Sequence, residues 1–103
     1  MADEKPQPLA KEELSKVLQQ LPGWAAENNQ LTKEFKFKDF VEAIGFINRL
    51  VPFFENKDHH PDIQIRYNRV RFAMSRHDIG DKITSLCGEV ARRIEHEYST
   101  ITQ

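Results

Sequence analysis

Two neighbouring runs of alternating apolar residues constrain this chain more than any other feature of its sequence. They cover residues 63–67 and 70–74, with an apolar side chain at every second position: Ile63, Ile65, Tyr67, Val70, Phe72 and Met74. Directly opposite residues in an antiparallel pair point to the same face of a sheet. Pairing Tyr67 with Val70 puts both sets on one face and leaves Asn68-Arg69 as a two-residue turn, whose first position suits asparagine. The runs therefore predict a β-hairpin with this register.

Apolar spacing elsewhere predicts three helices and a second hairpin. Residues recur at helical intervals over Lys11–Leu21, from Asp39 onward, and from about Lys82 to Tyr98. Strands are predicted at Trp24–Glu27 and Leu31–Phe37. The order α-β-β-α-β-β-α predicts an α+β fold, a four-stranded antiparallel sheet with three helices on one face.

The second helix is predicted to bury a continuous apolar stripe. Its members are Phe40, Val41, Ile44, Ile47, Leu50 and Val51. Pro52 stands where the stripe would continue, and proline in a helix interior removes a backbone donor and clashes with the preceding turn. We therefore expect Pro52 to kink the helix or to break it.

Length and charge limit the classes of function. With 103 residues, the chain is expected to form a flexible tail over residues 1–8 and one domain over residues 9–103. A net charge of −1 gives no field for binding nucleic acid or an anionic membrane, and no apolar run is long enough to span a bilayer. Cys87 is the single cysteine, so an internal disulfide is excluded and a reducing cytoplasm is the expected location.

Three of the four histidines are predicted to converge. Extending the register of the second hairpin outward places His60 opposite His77, although Pro61 cannot donate to the ladder. Pro61 also biases His60 toward an extended backbone, so that His59 and His60 diverge. The three imidazoles are then expected near one edge of the sheet, close to its non-core face.

Such a histidine cluster suits acid–base chemistry, because imidazole can give and take a proton near neutral pH. Asp58 and Glu55 are close enough in sequence to hold one ring in a fixed tautomer. An adjacent histidine pair is also common as plain surface decoration. A zinc site with three histidine ligands is a further alternative, but no pair has the helical i, i+4 spacing and no cysteine accompanies them. Cys87 lies on an apolar stripe, which indicates packing, whereas His96 lies among glutamates and is expected to be solvated.

Five short segments carry a resemblance to a known family. They are Phe37-Lys-Asp-Phe40, Ala43-Ile-Gly-Phe46, Asp58-His-His-Pro61, Tyr67-Asn-Arg-Val70 and Ser75-Arg-His77. In order and spacing the chain resembles the pterin-4a-carbinolamine dehydratases, a family that includes the dimerisation cofactor of a hepatocyte transcription factor. The family's acid, followed after three residues by His-His-Pro, is matched by Glu55 and residues 59–61.

The resemblance implies dehydration of the 4a-hydroxytetrahydropterin left by aromatic amino-acid hydroxylases, without metal or bound cofactor. It implies that His59, His60 and His77 are the catalytic and binding histidines. The remaining residues implied to touch the pterin are Asp58, Ser75, Arg76 and Asp78. It further implies a homodimer or homotetramer and an aromatic amino-acid hydroxylase as a partner.

One segment departs from the family pattern. After the last histidine the family reads Gly-Gly-Leu-Thr or similar, followed shortly by an aspartate. Here residues 78–84 read Asp-Ile-Gly-Asp-Lys-Ile-Thr, one residue longer, and Leu86 and Cys87 stand where that aspartate belongs. The alternative function is a non-catalytic partner that uses a dehydratase-like surface to stabilise dimers of another protein.

Overall fold

The computed structural model describes residues 8–75 and 82–101. In chain order its helices and strands are α1 (Lys11–Gln20), β1 (Ala25–Glu27), β2 (Gln30–Lys36), α2 (Phe40–Lys57), β3 (Asp62–Arg66), β4 (Arg69–Met74) and α3 (Ser85–Ile101). The predicted order α-β-β-α-β-β-α and the α+β fold class are confirmed.

The four strands form one antiparallel sheet in the order β1-β2-β4-β3. The β1–β2 hairpin turns at Asn28 and Asn29, whose φ angles of 52° and 62° lie in the left-handed region that asparagine tolerates. In this order β1 and β3 are the two edge strands, and the central strands β2 and β4 carry the buried apolar residues of the sheet.

The predicted register of the β3–β4 hairpin is wrong. The strands pair Ile65 with Val70 and Arg66 with Arg69, so the two-residue turn is Tyr67-Asn68 rather than Asn68-Arg69. Tyr67 takes the left-handed conformation with φ 57°. Asn68 instead bonds to the end of β2: its backbone oxygen accepts from Phe37 N at 2.8 Å, and its Nδ2 donates to Phe37 O at 2.9 Å. This contact with the neighbouring strand favours the observed turn.

Helix α2 continues through Pro52 and ends at Lys57, so the predicted break at Pro52 is wrong. Pro52 leaves the carbonyl of Asn48 without its helical donor, but both residues are exposed and water can satisfy that oxygen. The predicted stripe is also wrong in part. Phe40, Val41 and Val51 are exposed. The buried residues of the helix are Ala43, Phe46, Leu50 and Phe54.

Aromatic rings join α2 to the sheet. Phe72, fully buried on β4, lies 6.2 Å from Phe46 and 6.4 Å from Phe54, measured between ring centroids. Phe35 on β2 lies 5.8 Å from Phe72 and 5.9 Å from Phe46. Edge-to-face and tilted pairs at these distances add to the stabilisation from apolar burial. The cluster therefore holds α2 across the central strands.

Helix α3 begins at Ser85, three residues later than predicted, because the segment before it is extended. Thr84 forms an antiparallel bridge with Pro8, and Leu9 N donates to Ile83 O at 2.9 Å. Further along α3, a Cβ on Gly88 would meet Val17 Cγ1 at 3.3 Å, so glycine permits the close approach of α1. Among the residues described, no helix combines the length and apolarity needed to cross a membrane.

We predict that Phe72→Ala lowers the free energy of unfolding by about 3–5 kcal/mol, because it empties a site shared by three other rings. Phe53→Ala, at a half-buried position on the same helix as Phe46, is the matched control and should cost clearly less. Urea unfolding measures both. A loss below about 1 kcal/mol for Phe72→Ala would contradict the account of the core.

Candidate active site at the end of helix α2

The end of α2 is shaped by Asp58, which adopts left-handed dihedrals of φ 50° and ψ 45°. Its backbone N–H donates to Glu55 O at 3.2 Å, and the next amide, His59 N, donates to Phe54 O at 3.1 Å. These two bonds form a Schellman motif, which satisfies the last carbonyls of the helix and turns the chain sharply. The backbone at Asp58 therefore sets the direction in which the two histidines leave the helix.

The turn separates the two histidines into different environments. His59 is buried, with 3% of its surface exposed, whereas the side chain of His60 is 55% exposed. His59 and Phe54 are both buried and occupy the two positions that pack together in many Schellman motifs. The pair is therefore not two equivalent surface residues: one ring is part of the folded interior and the other faces solvent.

The exposed ring is held by a carboxylate. His60 Nε2 lies 2.5 Å from Oε2 of Glu55, and Glu55 belongs to the last turn of α2. An ionised carboxylate only accepts hydrogen bonds, so Nε2 donates and Nδ1 remains available to another group. Glu55 thus orients the ring and selects its tautomer, as carboxylates do for many functional histidines.

Ser75 directly follows the last residue of β4. It is buried, and within residues 8–75 and 82–101 its Oγ has no hydrogen-bond partner. The last β3–β4 pair is Asp62 with Ala73, and extending that register places His60 opposite Ser75. The register from which the alignment of His60 with His77 was predicted is therefore not the observed one, because the turn lies one position earlier in the chain. His77 itself lies outside the described residues.

The structure thus brings Glu55, Asp58, His59 and His60 together at one helix end. Ser75 directly follows β4, at the position that the extended register places opposite His60. Arg76, His77 and Asp78 lie outside the described residues, so their predicted roles stay predictions. In the part of the chain that the structure describes, no three His, Cys, Asp or Glu side chains form a group that could hold a metal ion.

Two features of this region were missed from the sequence. The backbone oxygen of Phe54 accepts a hydrogen bond from the His59 amide. The sequence pattern that could have indicated this role is an apolar residue one turn before an aspartate that ends the helix. The other is a groove of about 450 Å³ beside the first half of α2, lined in part by Val41, Gly45 and Arg49. With a rise of 1.5 Å per residue, Gly45 is about 20 Å from the histidines along the helix.

A buried histidine beside a carboxylate-bound one, at the edge of a small α+β domain, is an arrangement suited to proton-transfer enzymes. Comparison with known proteins identifies the family to which this chain belongs. The family profile for pterin 4 alpha carbinolamine dehydratase matches residues 7–97. The chain belongs to the pterin-4α-carbinolamine dehydratase family, and the protein is a dehydratase.

Individual relatives agree with this assignment. A Sulfolobus acidocaldarius protein that carries the family's name is 40% identical over 86 residues, covering 84% of this chain and 93% of its own length. A Picosynechococcus protein of the same name is 47% identical over 68 residues, covering 66% of this chain and 74% of its own. The crystal structure of a transcriptional coactivator/pterin dehydratase from Brucella melitensis superposes with a TM-score of 0.83 at 32% identity, covering 88% of this chain and 98% of that one.

The left-handed backbone at Asp58 gives a stability prediction. Asp58→Gly should leave the free energy of unfolding unchanged or raise it by up to about 1 kcal/mol, because glycine adopts this conformation at low cost. Asp58→Val should lower it by about 1–2 kcal/mol, because a β-branched residue is strained there. Urea unfolding of both variants measures the difference. Equal stabilities would show that the turn does not depend on this conformation.

Proposed function

We propose that the protein dehydrates a 4a-hydroxytetrahydropterin to the quinonoid dihydropterin by histidine acid–base catalysis. The C4a–O bond breaks and the hydroxyl leaves as water, for which an acid supplies one proton. The N5 proton passes to a base, and the electron pair of the N5–H bond forms the C4a=N5 double bond. One proton is given and one is taken, so the reaction needs neither a bound cofactor nor a metal.

The observation that carries this proposal is the pairing of His60 with Glu55 directly beside the buried His59. With Nε2 donating to Glu55, the Nδ1 of His60 is the nitrogen that can exchange a proton with the pterin. His59, whose position is fixed by the helix end, is suited to bind and orient the same ligand. His77 is proposed as the third ring, and Asp58, Ser75, Arg76 and Asp78 as contacts to the pterin.

The substrate class follows from the family and from the chemistry. Aromatic amino-acid hydroxylases release a 4a-hydroxylated pterin, so we propose that such a hydroxylase supplies the substrate and that the reaction takes place in the cytoplasm. The exposed Glu55–His60 pair allows a ligand to reach the ring from solvent, since both side chains are more than half exposed.

We predict that His60→Ala and His77→Ala each slow dehydration of chemically prepared 4a-hydroxytetrahydropterin by about 10²-fold or more, measured by stopped flow after subtraction of the rate in buffer. Glu55→Gln keeps an acceptor oxygen for Nε2 but removes the charge, and should cost about tenfold. Because His60 and Glu55 have exposed side chains, far-UV circular dichroism of their variants should remain that of the wild type.

Two variants control for unspecific effects of removing a histidine or a carboxylate. His96→Ala changes an exposed histidine of α3, and Glu34→Gln changes a glutamate that pairs with Arg69 on the sheet. Both should retain full activity. If His60→Ala and His77→Ala match the wild type in the same assay, the proposed site is wrong.

A second candidate function is that of a non-catalytic partner that stabilises dimers of another protein. The Brucella relative is described as a transcriptional coactivator as well as a pterin dehydratase. Self-association is proposed for either function, as a homodimer or a homotetramer. It is supported by the exposure of three large apolar side chains on one helix, Phe40, Val41 and Val51, since exposed apolar surface often marks interfaces.

The partner function predicts intact association with negligible turnover, whereas the dehydratase function predicts turnover that depends on the histidines. Light scattering after size exclusion gives the native mass, which should be a multiple of the 12.1 kDa of one chain. A mass of one chain at all concentrations would exclude the homo-oligomer.

A further inference from the structure

In the described part of both helices, three side-chain contacts at regular spacing join α2 to α3. They are, from the start of α2 toward its end, Arg49–Glu97, Phe53–Arg93 and Lys57–Glu89. The members on each helix are four residues apart, so each set lies along one face of its helix. The residue numbers rise on α2 while they fall on α3, so the two helices run antiparallel.

The two outer contacts are ion pairs of the same kind. Arg49 Nε lies 3.0 Å from Glu97 Oε2, and Lys57 Nζ lies 2.7 Å from Glu89 Oε2. The two cations are eight residues apart, which is about 12 Å along the helix. Lys57 is the last residue of α2, directly before Asp58 and the two histidines. Its pair with Glu89 therefore fastens α2 to α3 at the end that bears the candidate site.

Pro52 makes the end of α2 more dependent on such contacts. It has no N–H, so the helical bond from residue 52 to the carbonyl of Asn48 is missing. The helix ends at Lys57, little more than one turn further on, and the last turn of a helix readily frays. Of the three contacts, the last two lie beyond the proline, whereas the contact of Arg49 lies before it.

We propose that Lys57 and Glu89 are positioning residues for the dehydration. Their ion pair holds the last turn of α2 against α3, and this turn carries Glu55, the carboxylate that orients His60. Neither side chain is assigned a contact with the pterin, because both act through the position of the histidine. This inference rests on the proposed function, and it adds α3 to the elements that determine the geometry of the site.

The backbone amides at the helix end give a direct measure of this positioning. Asp58 N donates to Glu55 O, and His59 N donates to Phe54 O. The two amides exchange with solvent when the turn opens, so their exchange rates report how often the end of α2 detaches. An exposed ion pair contributes little to stability, so the expected change is small and confined to this end of the helix.

Glu89→Gln removes the charge that faces Lys57 without changing the sequence near the two amides. We expect it to raise their exchange rates by about two- to fivefold, measured by NMR. We also expect kcat for dehydration to fall by about twofold or more, with a smaller effect on KM, because a misplaced ring transfers a proton more slowly. Glu97→Gln, the same substitution in the pair before the proline, is the matched control and should change neither quantity.

Variants at position 57 separate the ion pair from the charge at the helix end. Lys57→Met also loses the favourable interaction of a cation with the carboxyl end of α2, so it should be at least as severe as Glu89→Gln. In the Lys57→Met background, Glu89→Gln should have no further effect, because the interaction is already absent. Lys57→Arg keeps a cation opposite Glu89 and should retain the exchange rates and the turnover of the wild type.

The proposal is overturned if Glu89→Gln leaves the exchange of both amides and kcat unchanged, or if Glu97→Gln changes them as much. Faster exchange without a loss of turnover would also overturn it, since the pair would then serve stability alone. The proposed function fails separately, if the wild type shows no turnover or if His60→Ala turns over at the wild-type rate. In that event the exchange rates still decide whether the pair holds the end of α2.

Discussion

The packing of helix α2 on the sheet is the interaction on which the candidate site depends. Phe46 and Phe54 contact the ring of Phe72, which β4 holds in the middle of the sheet. Phe54 is also the residue whose carbonyl accepts the His59 amide. The same residue therefore anchors the helix end in the core and sets the start of the segment that carries both histidines. Because Asp58 takes a left-handed conformation, His59 is buried while His60 remains at the surface beside Glu55.

Much of this fold could be predicted from the sequence, because the alternation of apolar residues determines which face of a strand is buried. The same property explains why the hairpin register could not be predicted. The predicted and the observed registers both put Ile65 and Val70 on one face, since a shift by two residues preserves the alternation. What decides between them is the bond of Asn68 to Phe37 on the neighbouring strand, a contact between residues distant in sequence.

The buried face of α2 was predicted wrongly for a related reason. Apolar content predicted that Phe40, Val41 and Val51 would be buried, whereas the sheet covers only the face with Ala43, Phe46, Leu50 and Phe54. Sequence alone does not show how wide a face the sheet can cover.

In the site, the prediction that Glu55 and Asp58 lie beside the histidines rested on proximity along the chain. Ser75 was not predicted to lie opposite His60, because that position follows from the observed register, which the sequence did not predict.

Binding of a pterin beside His59 and His60 is tested most directly by following the histidine ring resonances by NMR while a stable dihydropterin analogue is added to the intact protein. We expect the signals of His59 and His60 to shift together and to saturate with one binding constant, and we expect no response from the ring of His96 on α3. Unchanged His59 and His60 signals, with shifts confined to residues around the groove at Val41 and Gly45, would contradict it.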